Sequence, residues 1–290
     1  MALEKRIKNQ YSQVFLRSPS LIFSLIQKTA DFSIGDTVLD IGAGKGIITN
    51  ELSKFGCKVI AFEPDKVLYR QLTRDKTPGV VTMQTDFLRE DLAKYPDNVK
   101  VFSNIPFFFT ADIIRKLLID NSNIKSAYII MEKGAAWRFL GKPYKKNSVV
   151  STLINTRYKT KIVYAFRSSD FTPAPSVEAV LVGFKRLDNV IVNMNEFKDF
   201  VSYIFNKRKN SIKAVLEDFW RYERIKTLFK KIGIKLNDKT SDILPNQWLN
   251  LYTEFLSLEP NKRLKILGEY DRLGKHQIKL NRSKIIIYNE

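Results

Sequence analysis

The chain has one cysteine, Cys57, and one histidine, His276, among its 290 residues. A single cysteine cannot form an intrachain disulfide, so the composition predicts a reducing, cytoplasmic location. Because one histidine and one cysteine cannot supply the usual ligands of a zinc site, no metal is predicted. No cleavable leader and no apolar run of about 18 residues is recognised, so the sequence predicts no contact with a membrane.

Acidic residues are also scarce. There are 30 Asp and Glu against 49 Lys and Arg, which gives a formal net charge of +19. Such a charge is typical of proteins that bind a polyanion, and the alternative is an ordinary lysine-rich surface. The chain is 44% apolar and 12% aromatic, so it can bury a core, and its length favours two domains.

Short apolar runs alternate with helical periodicity through the first part of the chain, which predicts an α/β, Rossmann-like doubly wound domain. Helices are expected at 21–30 and 47–54. The predicted strands are 37–41, 58–62, 80–83, 100–103, 127–131 and 177–184. The alternation of strands and helices implies a parallel sheet.

The pattern changes near residue 186. Apolar residues then follow helical spacing, at Phe197, Phe200, Val201, Ile204 and Phe205. The sequence therefore predicts a first domain at 1–185, a smaller α-helical domain at 186–258 and a basic extension at 259–290. Residues 1–12 are expected to form a basic arm.

A glycine loop, Gly42-Ala43-Gly44-Lys45-Gly46, directly follows the predicted strand at 37–41. Glycines here let the backbone turn tightly and approach a ligand closely at the start of a helix. A dinucleotide fingerprint would need a further glycine at position 47, which is Ile47. The loop therefore favours S-adenosylmethionine over a nicotinamide cofactor, with Gly42, Gly44 and Gly46 as binding residues.

Acidic residues follow the next two predicted strands. Glu63 lies where a carboxylate can accept both ribose hydroxyls of a nucleoside cofactor. Asp86 lies where a carboxylate can accept an adenine amine, and the ring of Phe87 is expected to pack on the adenine face. A solvated loop charge is the alternative for each acid taken alone.

The run Asn104-Ile105-Pro106-Phe107 is the candidate catalytic element. An aromatic amine is a poor nucleophile, so methyl transfer to it needs positioning and polarisation. The Asn104 oxygen and a neighbouring backbone carbonyl can accept both N–H groups, because each is a good acceptor. Pro106 fixes the backbone, and Phe107 can stack on the base. A simple turn with a core phenylalanine is the alternative.

Four segments resemble those of a known family. Residues 12–16 look like a Ser-Gln-Asn-Phe-Leu motif, and residues 39–49 are similar to a Glu-x-Gly-x-Gly-x-Gly-x-Leu-Thr segment. Residues 170–180 resemble a Phe-x-Pro-x-Pro-x-Val segment, and residues 205–209 resemble Phe-x-x-Arg-Lys. The chain thus resembles the rRNA adenine N6-methyltransferases, which include the Erm resistance enzymes and the KsgA-type dimethylases.

This resemblance implies S-adenosylmethionine as methyl donor, adenine N6 in ribosomal RNA as acceptor, and a helical C-terminal lobe that forms part of the RNA cleft. It also implies that Gln13, Leu16 and Asn104 contact the cofactor. Several positions depart from the family pattern, among them Asp40, Ala43, Phe108 and Phe109. Val14 replaces the usual asparagine, and Phe107 replaces the commoner tyrosine.

Charge placement suggests where RNA would bind. Residues 201–240 hold 11 basic and 4 acidic residues. The predicted phosphate contacts are Lys207, Arg208, Lys209 and Lys213. An ordinary solvated face is the alternative. Because an adenine inside a duplex cannot reach such a pocket, the target is expected to be unpaired or flipped out.

The leading hypothesis is a monomeric Erm-like enzyme that acts on 23S rRNA and confers macrolide-type antibiotic resistance. It depends on the segment 110–116, which looks more Erm-like than KsgA-like. KsgA-type dimethylation near the 3′ end of 16S rRNA is the second hypothesis. A DNA-amine or protein-glutamine methyltransferase and a nucleic-acid binder without this activity are more distant alternatives.

Overall fold

The computed structural model describes residues 14–29, 31–74, 77–121, 123–188, 193–207 and 209–274. The predicted basic arm at 1–12, Gln13, Arg208 and the tail beyond residue 274 lie outside the described residues. The chain divides into two compact units. The first unit comprises residues 1–139 and 158–187, and the second comprises 140–157 and 188–290.

A mixed sheet is the centre of the first unit. Within the described ranges the strands are β1 (Phe15–Leu16), β2 (Thr37–Ile41), β3 (Lys58–Phe62), β4 (Val80–Met83), β5 (Val99–Asn104), β6 (Ile124–Glu132), β7 (Tyr158–Ala165), β8 (Phe171–Thr172) and β9 (Ala179–Arg186). Seven of these form one sheet in the order β4-β3-β2-β5-β6-β9-β7, and β1 pairs with β8 in a separate ladder.

The helices of the described ranges lie between these strands and beyond them. They are α1 (Pro19–Thr29), α2 (Ile47–Ser53), α3 (Lys66–Arg74), α4 (Thr110–Leu118), α5 (Lys133–Leu140), α6 (Val149–Asn155), α7 (Met194–Asn206), α8 (Ile212–Leu216), α9 (Tyr222–Ile232), α10 (Pro245–Leu256) and α11 (Pro260–Arg263). None of them is long and apolar enough to cross a bilayer.

Central strands of the sheet are buried on both faces, which explains why they read as largely apolar runs, interrupted in β2 by Asp40. In β2 every residue from Val38 to Ile41 is buried, and β3 is buried from Val59 to Phe62. Helix α1 presents Ile22, Leu25 and Ile26 to the core at helical spacing. The predicted strands and helices of this region are therefore found close to their expected positions.

The expectation of a wholly parallel sheet is wrong for its last two strands. Strands β2 to β6 pair in parallel, whereas β9 is antiparallel to both β6 and β7. Strand β7 was not predicted, because it lies at the sheet edge and carries the exposed lysines Lys159 and Lys161 in place of an apolar run. Charged side chains of this kind protect an edge strand from pairing with other chains.

Aromatic side chains fill the core of the second unit. The Phe200 ring lies 6.2 Å from that of Trp248 and 4.7 Å from that of Phe255, measured between ring centroids. Helix α6 packs against α7 and α10. Residues 140–157 therefore belong to this helical unit, although the sequence had placed the whole of 1–185 in the first domain.

The first part of the predicted extension at 259–290 also packs on the helical unit. Both oxygens of the Asp199 carboxylate accept backbone N–H groups, from Gly268 at 2.9 Å and from Tyr270 at 3.0 Å. Ile266 of the same segment is fully buried. Residues 260–274 are thus an integral part of the second unit and not an appendage.

Replacing Asp199 by alanine should release residues 264–274 from α7, because two backbone N–H groups lose a charged acceptor. We expect the free energy of unfolding to fall by about 2 kcal/mol. Proteolytic cleavage within the segment should become faster under native conditions. The exposed Asp271 of the same segment provides the control, since D271A should leave both properties unchanged. Equal effects of the two substitutions would contradict this role for Asp199.

Candidate active site

Three neighbouring parallel strands end at one edge of the sheet, and the candidate site is built on their carboxyl ends. Strand β2 runs into the glycine loop, β3 into Glu63, and β5 ends at Asn104. Because β2 lies between β3 and β5, these residues are brought together although they are far apart in sequence. Open parallel sheets bind their ligands at such an edge.

The glycine loop packs directly against the candidate catalytic run. The N–H groups of Gly42 and Ala43 both donate to the carbonyl of Phe62, at 2.8 and 3.0 Å, which ties the loop to β3. Gly42 has φ of 70°, and a Cβ on it would lie 3.2 Å from Cδ of Pro106. Glycine is therefore needed at 42 both for its backbone conformation and for the close approach of Pro106.

Glu63 is held in a fixed orientation by two backbone donors. Its Oε2 accepts the N–H of Gly44 at 2.8 Å, and its Oε1 accepts that of Asp65 at 2.9 Å. The side chain is only 3% exposed, and burial raises the pKa of its carboxyl. Since each carboxylate oxygen has a second lone pair, Glu63 can still accept the hydroxyls of a ribose.

Asp40 is a buried acid that sequence reasoning did not select. Its Oδ2 accepts the Thr49 hydroxyl at 2.7 Å, whereas its Oδ1 is buried without a hydrogen-bond partner among the described residues. Burial raises the pKa of this carboxyl to about 7. An unsatisfied acceptor two residues before Gly42 fits a site that is completed by a polar ligand.

Asn104 presents a second unsatisfied acceptor. Its Nδ2 donates to the carbonyl of Val14 at 2.9 Å, while its Oδ1 is buried and lacks a partner within the described ranges. Ile105 is buried beneath the turn, and Pro106 has φ of −59°. The ring of Phe107 is half-buried against the core. The amide oxygen is therefore fixed, desolvated and available to an N–H donor.

The N-terminal segment contributes through residues that were not chosen from the sequence. The ring of Phe15 lies 3.1 Å from where a Cβ on Gly44 would be, and Lys45 Nζ lies 4.9 Å from the centroid of the same ring. Leu16, predicted to touch the cofactor, is a buried core residue of β1. The motif at 12–16 contains Val14 and Phe15, so the sequence already indicated this segment, although Gln13 and Leu16 were selected from it.

The loop after β4 differs in detail from what was expected. Asp86 is exposed, and its Oδ1 accepts the N–H of Leu88 at 2.9 Å. The ring of Phe87 is only 3% exposed, with its centroid 5.3 Å from that of Phe62 and 5.5 Å from Lys116 Nζ. Because this ring is part of the core, it does not offer an open face to an adenine.

The predicted phosphate-binding lysines already have partners within the second unit. Lys207 Nζ lies 3.3 Å from Asp218 Oδ2, and Lys213 Nζ lies 3.1 Å from Glu217 Oε1. Lys209 donates to a backbone carbonyl at 3.2 Å. Each lysine would have to share or exchange its partner in order to bind a phosphate. The fourth predicted contact, Arg208, lies outside the described residues.

Comparison with known proteins connects this geometry to a family. The sequence profile of the ribosomal RNA adenine dimethylases matches residues 4–256. An rRNA adenine N-6-methyltransferase of Bacteroides fragilis is 30% identical, with 81% of this chain and 89% of the relative covered. The ribosomal RNA small subunit methyltransferase A of Thermotoga neapolitana is 35% identical, with 74% and 81% covered.

Solved structures share the fold. The 23S rRNA methyltransferase ErmE superposes with a TM-score of 0.72 at 21% identity, over 82% of this chain and 98% of ErmE. A dimethyladenosine transferase from Plasmodium falciparum gives a TM-score of 0.70 at 18% identity, with 86% and 98% covered. These similarities confirm the α/β fold with a helical C-terminal part.

Among the described residues, no group of three or more His, Cys, Asp or Glu could hold a metal ion.

Substituting Gly42 by alanine should weaken the binding of S-adenosylmethionine at least tenfold, because Cβ would push Pro106 and the rest of the candidate catalytic element, residues 104–107, away from the loop. Gly35 is the matched control. It also has a positive φ, of 85°, but nothing lies within 4 Å of its Cβ position. G35A should lower stability by about 1 kcal/mol and leave cofactor affinity, measured by calorimetry, unchanged. Equal affinities in both variants would contradict the steric argument.

The Asp40 carboxyl should make folding stability depend on pH. Its pKa is about 7 in the folded chain, against 3.8 for a freely exposed aspartate, so unfolding releases a proton between these values. Stability should therefore fall as pH rises from about 4 to 7, by on the order of 3 kcal/mol relative to D40N, which lacks the titration. If denaturant unfolding gives wild type and D40N the same dependence of stability on pH, the raised pKa of the Asp40 carboxyl is disproved.

Proposed function

This chain belongs to the ribosomal RNA adenine dimethylase family, whose members are S-adenosylmethionine-dependent methyltransferases, and we propose that it methylates N6 of an unpaired adenine in 23S ribosomal RNA. The enzyme class, an rRNA adenine N6-methyltransferase, follows from the family. The observation that carries the proposal for the acceptor amine is the buried Oδ1 of Asn104, which has no hydrogen-bond partner among the described residues. The backbone carbonyl of the same residue lies 4.0 Å from the Cβ position of Gly42 in the glycine loop.

Residues of the first unit fit the cofactor. The glycines of the loop let the backbone turn sharply at the start of α2, and Glu63 offers acceptors to ribose hydroxyls. The Oδ1 of Asp40, which has no hydrogen-bond partner within the described ranges, gives the same edge a further acceptor. When it is bound, S-adenosylmethionine supplies a methyl group on a sulfonium, which is already strongly electrophilic. Asp86 is the candidate partner for the adenine amine of the cofactor.

The residues of the catalytic turn position the acceptor amine. The Asn104 oxygen accepts one N–H, and the carbonyl of Ile105 is the candidate acceptor for the second. Holding both N–H groups favours a pyramidal nitrogen whose lone pair points towards the methyl group. Correct placement alone can lower a barrier by roughly 7–11 kcal/mol, so a strong general base is not required.

Aromatic side chains at the turn can shelter a base that has left its helix. Phe107 is half-buried, whereas Phe108 and Phe109 are 59% and 39% exposed. Stacking on an aromatic ring contributes about 1–3 kcal/mol per base, which offsets part of the cost of unstacking. We therefore propose that Phe107 stacks on the target adenine, with the two following rings at the lip of the pocket.

The choice of 23S rRNA rests on the segment 110–116, which looks more Erm-like than KsgA-like. With it come the proposals of a macrolide-type resistance role, a cytoplasmic location and a monomeric state. Methylation of 16S rRNA is the second candidate. It is favoured by the Thermotoga relatives, which are small-subunit enzymes and are 35% and 32% identical to this chain.

Replacement of Asn104 by alanine should lower methyl transfer by at least a hundredfold, because the amine loses a preorganised acceptor. RNA affinity should stay within twofold of wild type, since no phosphate contact is removed. N195A, at an exposed asparagine of α7, is the control and should keep full activity. Unchanged turnover of N104A in single-turnover assays would refute the proposed role of its side chain.

Mapping the modified nucleotide distinguishes the two acceptors. Purified 23S and 16S rRNA are each incubated with enzyme and a donor carrying a labelled methyl group, and the labelled base is located by mass spectrometry of nuclease fragments. We expect N6-methylated adenine in 23S rRNA. Label confined to 16S rRNA would replace the first proposal by the second, and label in neither RNA would contradict both.

A further inference from the structure

The second unit carries a compact basic loop that the sequence patterns did not single out. Residues 142–146, Lys-Pro-Tyr-Lys-Lys, are five consecutive exposed residues that precede α6. No acidic residue occurs between Lys133 and Asn155. We refer to residues 142–146 as the 142–146 loop.

Hydrogen bonds at both ends fix this loop. The carbonyl of Gly141 accepts the N–H groups of Tyr144 and Lys145, each at 2.9 Å. Asn147 Oδ1 accepts the N–H of Lys142 at 3.0 Å, and Asn147 Nδ2 donates to the carbonyl of Ile243 at 3.2 Å. The loop is therefore anchored to the body of the unit, and binding a ligand would cost little backbone entropy.

Two of its three lysines are free to bind an anion. Lys142 Nζ lies 2.7 Å from Asp242 Oδ1, and this hydrogen bond lowers the pKa of the Asp242 carboxyl. Lys145 and Lys146 have no ionic partner in the part of the chain that the structure describes. They differ in this respect from Lys207 and Lys213, which are already paired with Asp218 and Glu217.

Tyr144 lies between Lys142 and Lys145 in the sequence and gives the 142–146 loop an aromatic ring. Its side chain is 47% exposed, and no aromatic ring or cation of the described residues contacts its ring. An exposed tyrosine adds no packing to the core. An aromatic ring close in sequence to unpaired lysines is, however, a combination that binds single-stranded nucleic acids. The bases stack on the ring, and the cations contact the phosphates.

We propose that the 142–146 loop is an RNA-contacting element in which Tyr144 stacks on an unpaired base and Lys145 and Lys146 bind the adjoining phosphates. This inference rests on the proposed function, because it takes ribosomal RNA as the ligand. It assigns RNA binding in the second unit to a preorganised loop before α6, in addition to the lysines after α7.

Binding of an rRNA fragment to the full-length protein, measured at several salt concentrations, tests this inference. For K145Q/K146Q, the slope of log K against log salt should fall by about 1.4–1.8, because each lost phosphate contact contributes about 0.7–0.9. Y144A should weaken binding at least fivefold without a change in slope, and Y144F should bind like wild type because the ring is retained.

K159Q/K161Q is the matched control, since it removes the same charge from exposed lysines of β7 in the first unit. This variant should keep the wild-type slope. Equal slopes for both double variants, or wild-type affinity for Y144A, would overturn the proposal and would instead favour a protein partner for the loop. Thermal unfolding and cofactor binding, measured in parallel, should be unchanged in every variant.

The outcome is separable from that of the proposed function. If wild type methylates rRNA while the loop variants bind RNA normally, the loop assignment fails and the function stands. If the loop variants lose affinity while wild type transfers no methyl group to either rRNA, the RNA contact stands and the proposed activity fails.

Discussion

The hydrogen bond from Asn104 Nδ2 to the carbonyl of Val14 fixes the orientation of the side-chain amide in the candidate active site. A side-chain amide has a donor end and an acceptor end, and fixing the donor decides where the acceptor points. The carbonyl of Val14 is itself held in place because the next two residues form β1, which pairs with β8. A ladder of only two residues per strand, contributed by distant segments, thus orients the oxygen that we propose as the acceptor of the amine.

Local patterns were sufficient to predict the outline of this molecule. The buried strands β2 and β3 and the amphipathic α1 have strong periodicity of their own, and the parallel pairing of β2, β3 and β5 brings the glycine loop, Glu63 and Asn104 to one edge. The fold class and the enzyme family were both predicted and are confirmed. The individual binding roles of these residues remain predictions that now have a geometric basis.

Features that depend on distant contacts could not be predicted in the same way. Asp40 Oδ1 lacks a hydrogen-bond partner among the described residues because of packing around the strand end, which no local pattern records. Strand β7 is polar and was missed for lack of an apolar run. Lys207 has the charge expected of a phosphate contact, but only the structure shows that it forms an ion pair with Asp218.

The path of the chain has a consequence for how the two units could ever be separated. Residues 140–157 leave the first unit to supply α6 to the helices, and residues 158–187 then return to complete the sheet. A single cut therefore cannot yield two intact modules: a fragment ending at 187 would keep α6 with the buried Leu153 and Ile154 stripped of α7 and α10. Evolution could exchange the helical module only by replacing two segments at once, and a ribosome must synthesise most of the chain before either hydrophobic core can close.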